Sequence, residues 1–477
     1  MKMPGIGRRQ RSARSDRRRA ARLRALRLLA VAALCGLPSG AALAQTRAAD
    51  SVSLDAEIAS AGRDGIPTVM SQVRRRMPAR SGNAAPFYER LRLLLRTKPL
   101  SGDAGFAGTS GQGIAYLPDR AAQICRGVAG RPDVTRLVNA AAARPFCVYD
   151  LERTGPLDVL FQESDAERAA TRWLCAESAA ALFSNRPLEA VRIQARGFRC
   201  ADHCLPRGMI GAMSATDCAS VVFCGLKRAL YRSGDEPAVC RAVQSAVERE
   251  MPHVDFSNSL AFETFFFIVS ARAIQGEGSD GVRAAWDRMP KGRLPADPNA
   301  QMAVWERSEA ILIHGLRRCV HAAGQPAPVM LRSLRIISGE YTAKRTEPGY
   351  VFAAHYIPAL ESSVERVVES EAMRPVLAAS AAVLTWRDEH GSFPETLARA
   401  MPHVPSDPFD GKPIRYRVLG NHFVVFSVGR TGRFDGGTAF ARPGWSEAVF
   451  RYPMPAYDAP QSAAPVRSAS LIHAKPR

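Results

Sequence analysis

Apolar residues recur every three or four positions through most of the chain, which is the spacing of helices with one buried face. Turn-forming residues end these runs, as in Ser184-Asn185-Arg186-Pro187 and Ser233-Gly234-Asp235, so that neighbouring segments have short connections. Short connections place amphipathic helices side by side in antiparallel order. The pattern predicts helices over residues 121–128, 134–143, 166–183, 188–204, 209–232, 237–251, 260–274, 302–321 and 329–337.

Alanine-rich helix faces, such as Ala176, Ala179 and Ala180, allow these helices to approach closely. This arrangement resembles helical-hairpin repeats of the tetratricopeptide kind, but no period of fixed length runs through the sequence. We therefore expect an irregular antiparallel helical array over residues 84–374. A loose lead-in over residues 45–83, with one helix near 66–73, precedes it.

The pattern changes towards the C-terminus. A last helix with apolar positions from 376 to 386 meets Gly391, which can adopt the left-handed conformation that stops a helix. Three prolines between residues 402 and 408 exclude further helix or a central strand. Residues 414–418 alternate apolar and basic side chains, and residues 423–428 are apolar, so the two runs predict a β-hairpin with one basic face. The predicted fold is mainly α, with a small C-terminal antiparallel β-hairpin module in residues 375–452.

Several short motifs of residues 383–437 resemble the C-terminal module of type II secretion major pseudopilins. They are His390-Gly391-Ser392-Phe393-Pro394, Asp407-Pro408-Phe409-Asp410-Gly411-Lys412-Pro413, Tyr416, Ser427-Val428-Gly429 and Asp435-Gly436-Gly437. The resemblance implies a small envelope module built on a helix and a hairpin. The layout of the whole chain also resembles a group of uncharacterised secreted bacterial helical proteins, which implies no known activity.

Two differences limit what the pseudopilin resemblance implies. In that family, acidic side chains near the double glycine bind calcium, whereas residues 429–435 here hold Arg430, Arg433 and one acid, Asp435. Calcium takes roughly six to eight oxygen ligands, so we expect no metal. No long apolar stretch lies directly before residue 376, so we also expect no pilus assembly.

The N-terminus has the order of an export signal. Arginines crowd residues 1–27, an apolar run covers residues 28–37, and Ala42-Leu43-Ala44 precedes Gln45. This order predicts a signal peptide over residues 1–44 that is cleaved after Ala44. The apolar run is too short for a stable membrane anchor. We expect a periplasmic or secreted protein with no transmembrane span after cleavage.

Removal of the predicted signal peptide lowers the net charge of the chain. The chain has 65 Lys and Arg against 45 Asp and Glu, and residues 1–44 contain 11 of the basic residues and one of the acidic ones, which leaves a net charge of about +10. Such a charge favours contact with an anionic envelope surface or an envelope protein. Basic clusters with interleaved aromatic residues are missing from the mature sequence, so nucleic acid is not an expected partner. The tail, residues 453–477, is predicted to be disordered.

Cysteine is abundant for a chain of this kind. In an oxidising compartment, cysteines on successive helices usually form cross-links between them. Cys200 and Cys204 lie one turn apart on the predicted helix, so each is expected to pair with a neighbouring helix through Cys218, Cys224 or Cys240. Cys125 and Cys147 are a separate possible pair. With Cys319, the number of cysteines after the predicted signal peptide is odd, so one thiol is left without a disulfide partner. The disulfide candidates are Cys125, Cys147, Cys175, Cys200, Cys204, Cys218, Cys224 and Cys240.

A zinc site is the alternative for part of this cluster, because Cys200, His203 and Cys204 share one predicted helical face. Paired CxxC spacing is missing from the sequence and export favours oxidation, so the prediction is no metal and no cofactor. His314 and His321 lie two turns apart on an apolar helix, where hydrogen-bonded structural histidines are expected.

Motifs of known enzyme classes are not found in the sequence: it has no HExxH, no Gly-x-Ser-x-Gly and no Ser-x-x-Lys set in a suitable context. The first functional hypothesis is therefore an exported, non-enzymatic binding or scaffold protein of the cell envelope. The second is a hydrolase or carbohydrate-acting enzyme whose site forms between helices. A cleft with converging His, Asp or Glu side chains would favour the second hypothesis.

Overall fold

The computed structural model describes residues 53–73, 80–99, 118–149, 164–286, 297–347, 349–433 and 448–453. The predicted signal peptide, the double glycine at 436–437 and the tail after residue 453 lie outside these residues. The helices are α1 (Leu54–Arg63), α2 (Met70–Val73), α3 (Ala85–Thr97), α4 (Pro118–Ala129), α5 (Pro132–Ala142), α6 (Ser164–Phe183), α7 (Pro187–Asp202), α8 (Gly208–Ser233), α9 (Pro237–Arg249), α10 (Phe256–Gly276), α11 (Gly278–Trp286), α12 (Pro298–Ala323), α13 (Ala327–Ala343), α14 (Val351–Glu371), α15 (Met373–His390) and α16 (Leu397–Ala400). The strands are β1 (Arg415–Leu419), β2 (His422–Phe426) and β3 (Val449–Tyr452).

The predicted fold class is confirmed, since the described chain is mainly helical with one small antiparallel sheet. Each of the nine predicted helices of the array is present, most of them extended by a few residues at one or both ends. The structure adds α14, which the sequence pattern did not predict and which carries Pro358 in its interior. It also adds β3, so that the predicted hairpin is part of a three-stranded sheet.

Two hydrophobic cores organise the helices. The first is formed mainly by α3, α5 to α9, α15 and the sheet, and the second by α10 to α14. Helix α8 joins them, because Met209 near its start lies in the second core while Val222 and Leu226 lie in the first. The helical array is therefore built on two adjacent cores that share one long helix.

Close packing of α7 on α8 depends on glycine. A Cβ atom on Gly197 would lie 2.6 Å from Val222, and one on Gly225 would lie 2.2 Å from the side chain of Gln194. The Gln194 side chain donates to the Val221 carbonyl at 3.1 Å across this contact. Side chains at these glycines would force the helices apart, because core packing tolerates little added volume.

The predicted lead-in contains a docked helix. The sequence analysis placed a helix near residues 66–73, whereas the structure has the ten-residue α1 earlier and only the short α2 there. Leu54, Ile58 and Ala61 of α1 are buried against α12. Arg317 of α12 forms ion pairs with Glu57 and Asp64, at 2.6 Å each. His314 and His321 approach the same two carboxylates, at 3.3 and 3.4 Å, as structural histidines would.

Among the described residues, one segment, Pro187–Ser233, has the length and hydropathy of a membrane span. It comprises α7 and α8, which are separated by a 3-10 turn at Leu205–Arg207 and pack against each other. About two thirds of its apolar window, 67%, is buried within the protein. Much of its apolar surface is therefore buried in the two cores and the small clusters beside them.

The C-terminal module is attached to the middle of the array. Helix α15 packs along α9, and the ring of Phe450 in β3 stacks on Tyr231 of α8 with centroids 4.9 Å apart. The sheet order is β1-β2-β3, with Leu419 opposite His422 at the hairpin end. One face of the sheet covers α15 through Phe423, Val425 and Phe450. This docking leaves β1 at the outer edge of the sheet.

Candidate functional site

A cluster of polar side chains lies inside the first core and contains the residue types that enzymes use. We call it the core cluster: Tyr88 of α3, Tyr149 after α5, Glu167 of α6, and His203 and Arg207 in the turn between α7 and α8. All five side chains are buried. Buried polar groups need partners, and the contacts below supply them, except that the second carboxylate oxygen of Glu167, Oε2, has no hydrogen-bond partner among the described residues.

Glu167 and Arg207 form a buried ion pair. The Arg207 guanidinium donates to Oε1 of Glu167, and the Tyr149 hydroxyl donates to the same oxygen at 2.8 Å. The guanidinium also lies over the Tyr149 ring, 4.9 Å from its centroid. The carboxylate of Glu167 raises the pKa of Arg207 against the effect of burial. Glu167 therefore acts as a fixed anchor for the turn that carries Arg207.

Both ring nitrogens of His203 are engaged. Nε2 lies 3.0 Å from the carbonyl oxygen of Arg144, so it must carry the proton and donate. Nδ1 then accepts from the Tyr88 hydroxyl at 2.8 Å. Burial lowers the pKa of His203 to about 4, and nearby Arg199 and Arg207 act in the same direction. A neutral imidazole with both nitrogens bonded has no free position for general-base catalysis.

The cysteines near this cluster are protonated. Burial raises the pKa of Cys200 to about 12. Its neighbour Cys218 and burial raise the pKa of Cys204 well above the ordinary value. A thiolate is the reactive form of cysteine, so neither thiol is prepared to act as a nucleophile.

In the described part of the chain, all nine cysteines are free thiols and no two sulfurs are at bonding distance. Cys204 and Cys218 belong to one small buried cluster with Ala201 and Ala215. Cys240 instead donates to the Gly234 carbonyl at 3.6 Å. Cys175 is contacted by the Arg228 guanidinium at 3.9 Å. The disulfide candidates remain predictions.

Cys200, His203 and Cys204 do not converge as metal ligands in the described part of the chain. Helix α7 ends at Asp202, and His203 points towards Tyr88 while Cys204 begins the 3-10 turn. Over the residues that the structure describes, no three His, Cys, Asp or Glu side chains converge as metal ligands would. Glu167, Arg207 and the two tyrosines were not predicted from the sequence, because their partners lie 18 to 115 residues away along the chain.

An accessible candidate site lies in the C-terminal module, beside β1. We call it the edge groove: an open groove of about 290 Å³ lined by residues 395–398, Val404, Pro413, Ile414 and Tyr416. Its walls are largely apolar, and Glu395 is exposed at its border. The Tyr416 hydroxyl donates to the Pro394 carbonyl at 2.9 Å, which fixes β1 against the segment before α16.

The hairpin geometry determines which backbone groups of β1 face outwards. Gly420 has a φ of 61° at the first position of a two-residue turn, so Leu419 and His422 close the turn as a hydrogen-bonded pair. Bonded pairs alternate along an antiparallel ladder, which directs the N–H and C=O groups of Tyr416 and Val418 away from β2. The N–H of Ile414 also points away from β2, as this alternation requires, because it donates to the Pro405 carbonyl at 2.9 Å.

The outward groups of Tyr416 and Val418 have no hydrogen-bond partner among the described residues. Val418 is 40% exposed and Leu419 is 63% exposed. An unpaired edge next to an apolar groove is the arrangement that accepts an added strand. The edge of β1 at Tyr416 and Val418 is therefore a candidate surface for strand addition.

Asp407 holds this arrangement in place. Its carboxylate is fully buried and accepts from the Ser427 hydroxyl at 2.9 Å and from the N–H groups of Phe409 and Val428 at 3.0 and 2.8 Å. Arg415 pairs with it at 3.2 Å. One carboxylate thus ties the loop before β1 to the end of β2, which positions the wall of the edge groove.

Comparisons of the chain with protein-family models, with curated proteins and with solved structures give no match. The function is therefore argued from the chemistry of these two regions.

Proposed function

We propose that this chain is an exported, non-enzymatic binding or scaffold protein of the cell envelope. Its C-terminal module accepts an extended segment of an envelope protein as a fourth strand beside β1. The observation that carries the proposal is the outer edge at Tyr416 and Val418, which has no hydrogen-bond partner among the described residues and lies next to the edge groove.

The state of the core cluster supports binding over catalysis. Its histidine is neutral with both nitrogens bonded, its thiols have raised pKa values, and its carboxylate is held by Arg207 and Tyr149. A catalytic acid, base or nucleophile needs access to a substrate and a pKa near the working pH. The cluster has the properties of a structural tie.

The surface around β1 indicates which residue types the partner segment should have. Strand addition supplies main-chain hydrogen bonds, and pockets for alternate side chains supply specificity. Leu397, Val404 and Ile414 offer apolar contacts in the groove, while Lys412 and Arg417 are exposed near the edge. The expected partner segment is extended, with apolar residues at alternate positions and acidic residues between them.

Photocrosslinking in the native host tests the proposal. A photoreactive amino acid replaces Leu419 in the full-length protein, and crosslinked proteins are identified by mass spectrometry. We expect an envelope protein whose crosslinked peptide has the alternating pattern. The same amino acid at Ile336, an exposed position on α13, serves as the surface control and is expected to give no such product.

A pair of variants makes the test specific for strand addition. Val418→Pro removes an outward N–H without touching the β1–β2 ladder, since proline is tolerated at strand edges. Val418→Ala keeps that N–H and is the matched control. We expect the crosslink from position 419 to disappear in Val418→Pro and to persist in Val418→Ala. Equal crosslinking in both variants would contradict the proposal.

A further inference from the structure

Helix α13 buries one side and exposes the other. Its side chains in the second core are Met330, Leu331, Leu334, Ile337 and Tyr341. The opposite side, which we call the α13 face, consists of Val329, Arg332, Ser333, Ile336, Gly339, Glu340 and Ala343. Ile336 is 57% exposed and Val329 is 46% exposed, so two of the six exposed large apolar side chains in the described part of the chain lie on this face.

Gly339 has no packing role within the chain. Glycine in a helix interior is less favourable than alanine, and it is tolerated best where another element must approach closely. A Cβ atom on Gly339 would have no described atom within 4 Å. Gly339 therefore leaves a notch in the surface of α13, one turn after the exposed Ile336.

The charges of the α13 face are placed symmetrically about Ile336. Arg332 lies four residues before it and Glu340 four residues after it, and both are exposed. Glu340 pairs with Arg318 of α12, whereas Arg332 has no ion-pair or hydrogen-bond partner among the described residues. Residues four apart lie on the same side of a helix, so this face presents one charge of each sign on either side of an apolar centre.

This symmetry determines which orientation a second copy of α13 would take. When two copies lie antiparallel with Ile336 on the two-fold axis, Arg332 of each copy faces Glu340 of the other. Ser333 of each copy then faces the notch at Gly339. In a parallel pair, Arg332 would face Arg332 and Glu340 would face Glu340, which is unfavourable because like charges repel.

We propose that the α13 face binds a second copy of this chain, in an antiparallel helix pair centred on Ile336. Val329 of each copy faces Ala343 of the other at the two ends of the pair. A single helix pair is at the low end of specific interface sizes, so the dimer is weak and depends on protein concentration. The proposal is separate from strand addition at β1. In the crosslinking experiment above, the product expected at Ile336 is a second copy of this chain, joined through α13.

Sedimentation velocity of the purified protein over a concentration series tests the pairing. We expect the sedimentation coefficient of the wild type to rise from that of a monomer towards that of a dimer. Ile336→Glu places two like charges on the axis and should remain monomeric at every concentration. Leu93→Glu is the matched control, because Leu93 on α3 is equally exposed, at 57%, and this variant should dimerise as the wild type does.

Gly339→Leu separates pairing from folding. In the single chain the new side chain enters open space, and leucine favours the helix more than glycine does, so the melting temperature of dilute protein should stay the same or rise. In the pair it meets Ser333 of the second copy, and we expect the dimer to weaken by about tenfold or more. A lower melting temperature with unchanged dimerisation would show that Gly339 serves the fold of the monomer.

Charge reversal in separate molecules tests the opposed positions. Arg332→Glu places two carboxylates opposite each other, and Glu340→Arg places two guanidinium groups opposite each other, so each variant alone should dimerise more weakly than the wild type. An equimolar mixture of the two variants should dimerise again, because every opposed pair then has opposite charges. No recovery in the mixture would count against the proposed register.

Photocrosslinking determines the orientation. A photoreactive amino acid at Val329 should give a product with the peptide around Ala343. These two positions lie about 21 Å apart on one helix, so this product must join two molecules. A product between two copies of position 329 would indicate a parallel pair and would overturn the antiparallel arrangement.

Two results of the concentration series would overturn the proposal outright. The first is a wild-type protein that stays monomeric throughout. The second is a dimer that persists in Ile336→Glu, and its loss in Val418→Pro would then show that copies pair through β1 instead. Strand addition is tested by the crosslink from position 419, which Ile336→Glu should leave unchanged, so each proposal can fail without the other.

Discussion

The core cluster and the edge of β1 differ in which of their groups a partner molecule could reach. The core cluster has a histidine, a glutamate, an arginine and nearby cysteines, yet each is buried and bonded. The edge has ordinary side chains, but its outward backbone groups at Tyr416 and Val418 have no hydrogen-bond partner in the part of the chain that the structure describes. Under the proposed function, residue types that suggest chemistry serve stability here, and the main chain of β1 provides the binding site.

This difference has a physical basis. A buried ion pair contributes little over an apolar core but is costly to break, because one charge is left without a partner. An edge strand contributes little to stability and leaves its hydrogen-bonding groups available for another chain. Variants in the two regions should thus have opposite effects on stability and on partner binding.

The largest expected effect is on the ion pair of the core cluster. Arg207→Met leaves Glu167 charged and buried, and we expect it to lower the free energy of unfolding by about 3–5 kcal/mol. Urea unfolding followed by circular dichroism measures it. The control is Arg199→Met, because Arg199 pairs with Asp202 at the surface and such pairs contribute less than about 1 kcal/mol. Equal effects of the two substitutions would show that the core cluster is not a structural tie.

His203 gives a pH-dependent test of the same cluster. Its pKa falls from 6.5 to about 4 on folding, so between these values the unfolded chain binds a proton that the folded chain does not. Folding stability is therefore lost as the pH falls from 6.5 to about 4. The titration of His203 alone should lower the free energy of unfolding by about 3 kcal/mol over this range.

His203→Gln removes this titration, so its free energy of unfolding should decrease less between pH 7 and pH 4 than that of the wild type. Denaturant unfolding at both pH values measures the difference. Parallel pH profiles of the two proteins would contradict a buried neutral histidine.

A smaller, local effect is expected at Asp407. Asp407→Asn replaces a carboxylate that accepts from Ser427, Phe409 and Val428, at an expected cost of about 1–3 kcal/mol. Hydrogen exchange should show faster opening of β1 to β3 and unchanged α5 to α7. Asp410→Asn, at a more exposed partner of Arg415, is the control. Hydrogen exchange that becomes faster to the same extent in both regions would mean that the C-terminal module does not open on its own.

The smallest effect on stability is expected at the edge itself. Val418→Pro should change the free energy of unfolding by about 0.5 kcal/mol or less, since it affects an exposed position outside the ladder. Arg417→Pro, one residue earlier, removes a ladder hydrogen bond to Val424 and should be clearly more destabilising. Thermal unfolding of both variants measures the difference. Similar melting temperatures would show that the alternation along β1 is assigned wrongly.

The helices that were predicted are those with strong local patterns. The apolar spacing of residues 166–183 and 209–232 led to α6 and α8 with ends correct to within about two residues. Helix α14 was missed, since Pro358 interrupts an otherwise helical pattern and proline usually signals a helix end. In the structure, packing of Phe352, Leu360 and Val364 in the second core holds this helix together.

The candidate sites were harder to predict from the sequence than the helices. The hairpin was predicted from alternation, but β3 was not, because its partner β2 lies more than twenty residues earlier. His203 was assigned to a face with Cys200 and Cys204, whereas its partner, Tyr88, is 115 residues away in the sequence. Contacts of this kind depend on tertiary packing, for which a local pattern holds no signal.

Residue-resolved hydrogen exchange along β1 of the isolated full-length protein is the most direct test of the open edge. The account predicts rapid exchange of the Tyr416 and Val418 amides and slow exchange of the Arg417 and Leu419 amides, which bond to β2. Protection of Val418 equal to that of Arg417 in the protein alone would mean that the edge is already covered, and it would contradict the proposed site of strand addition.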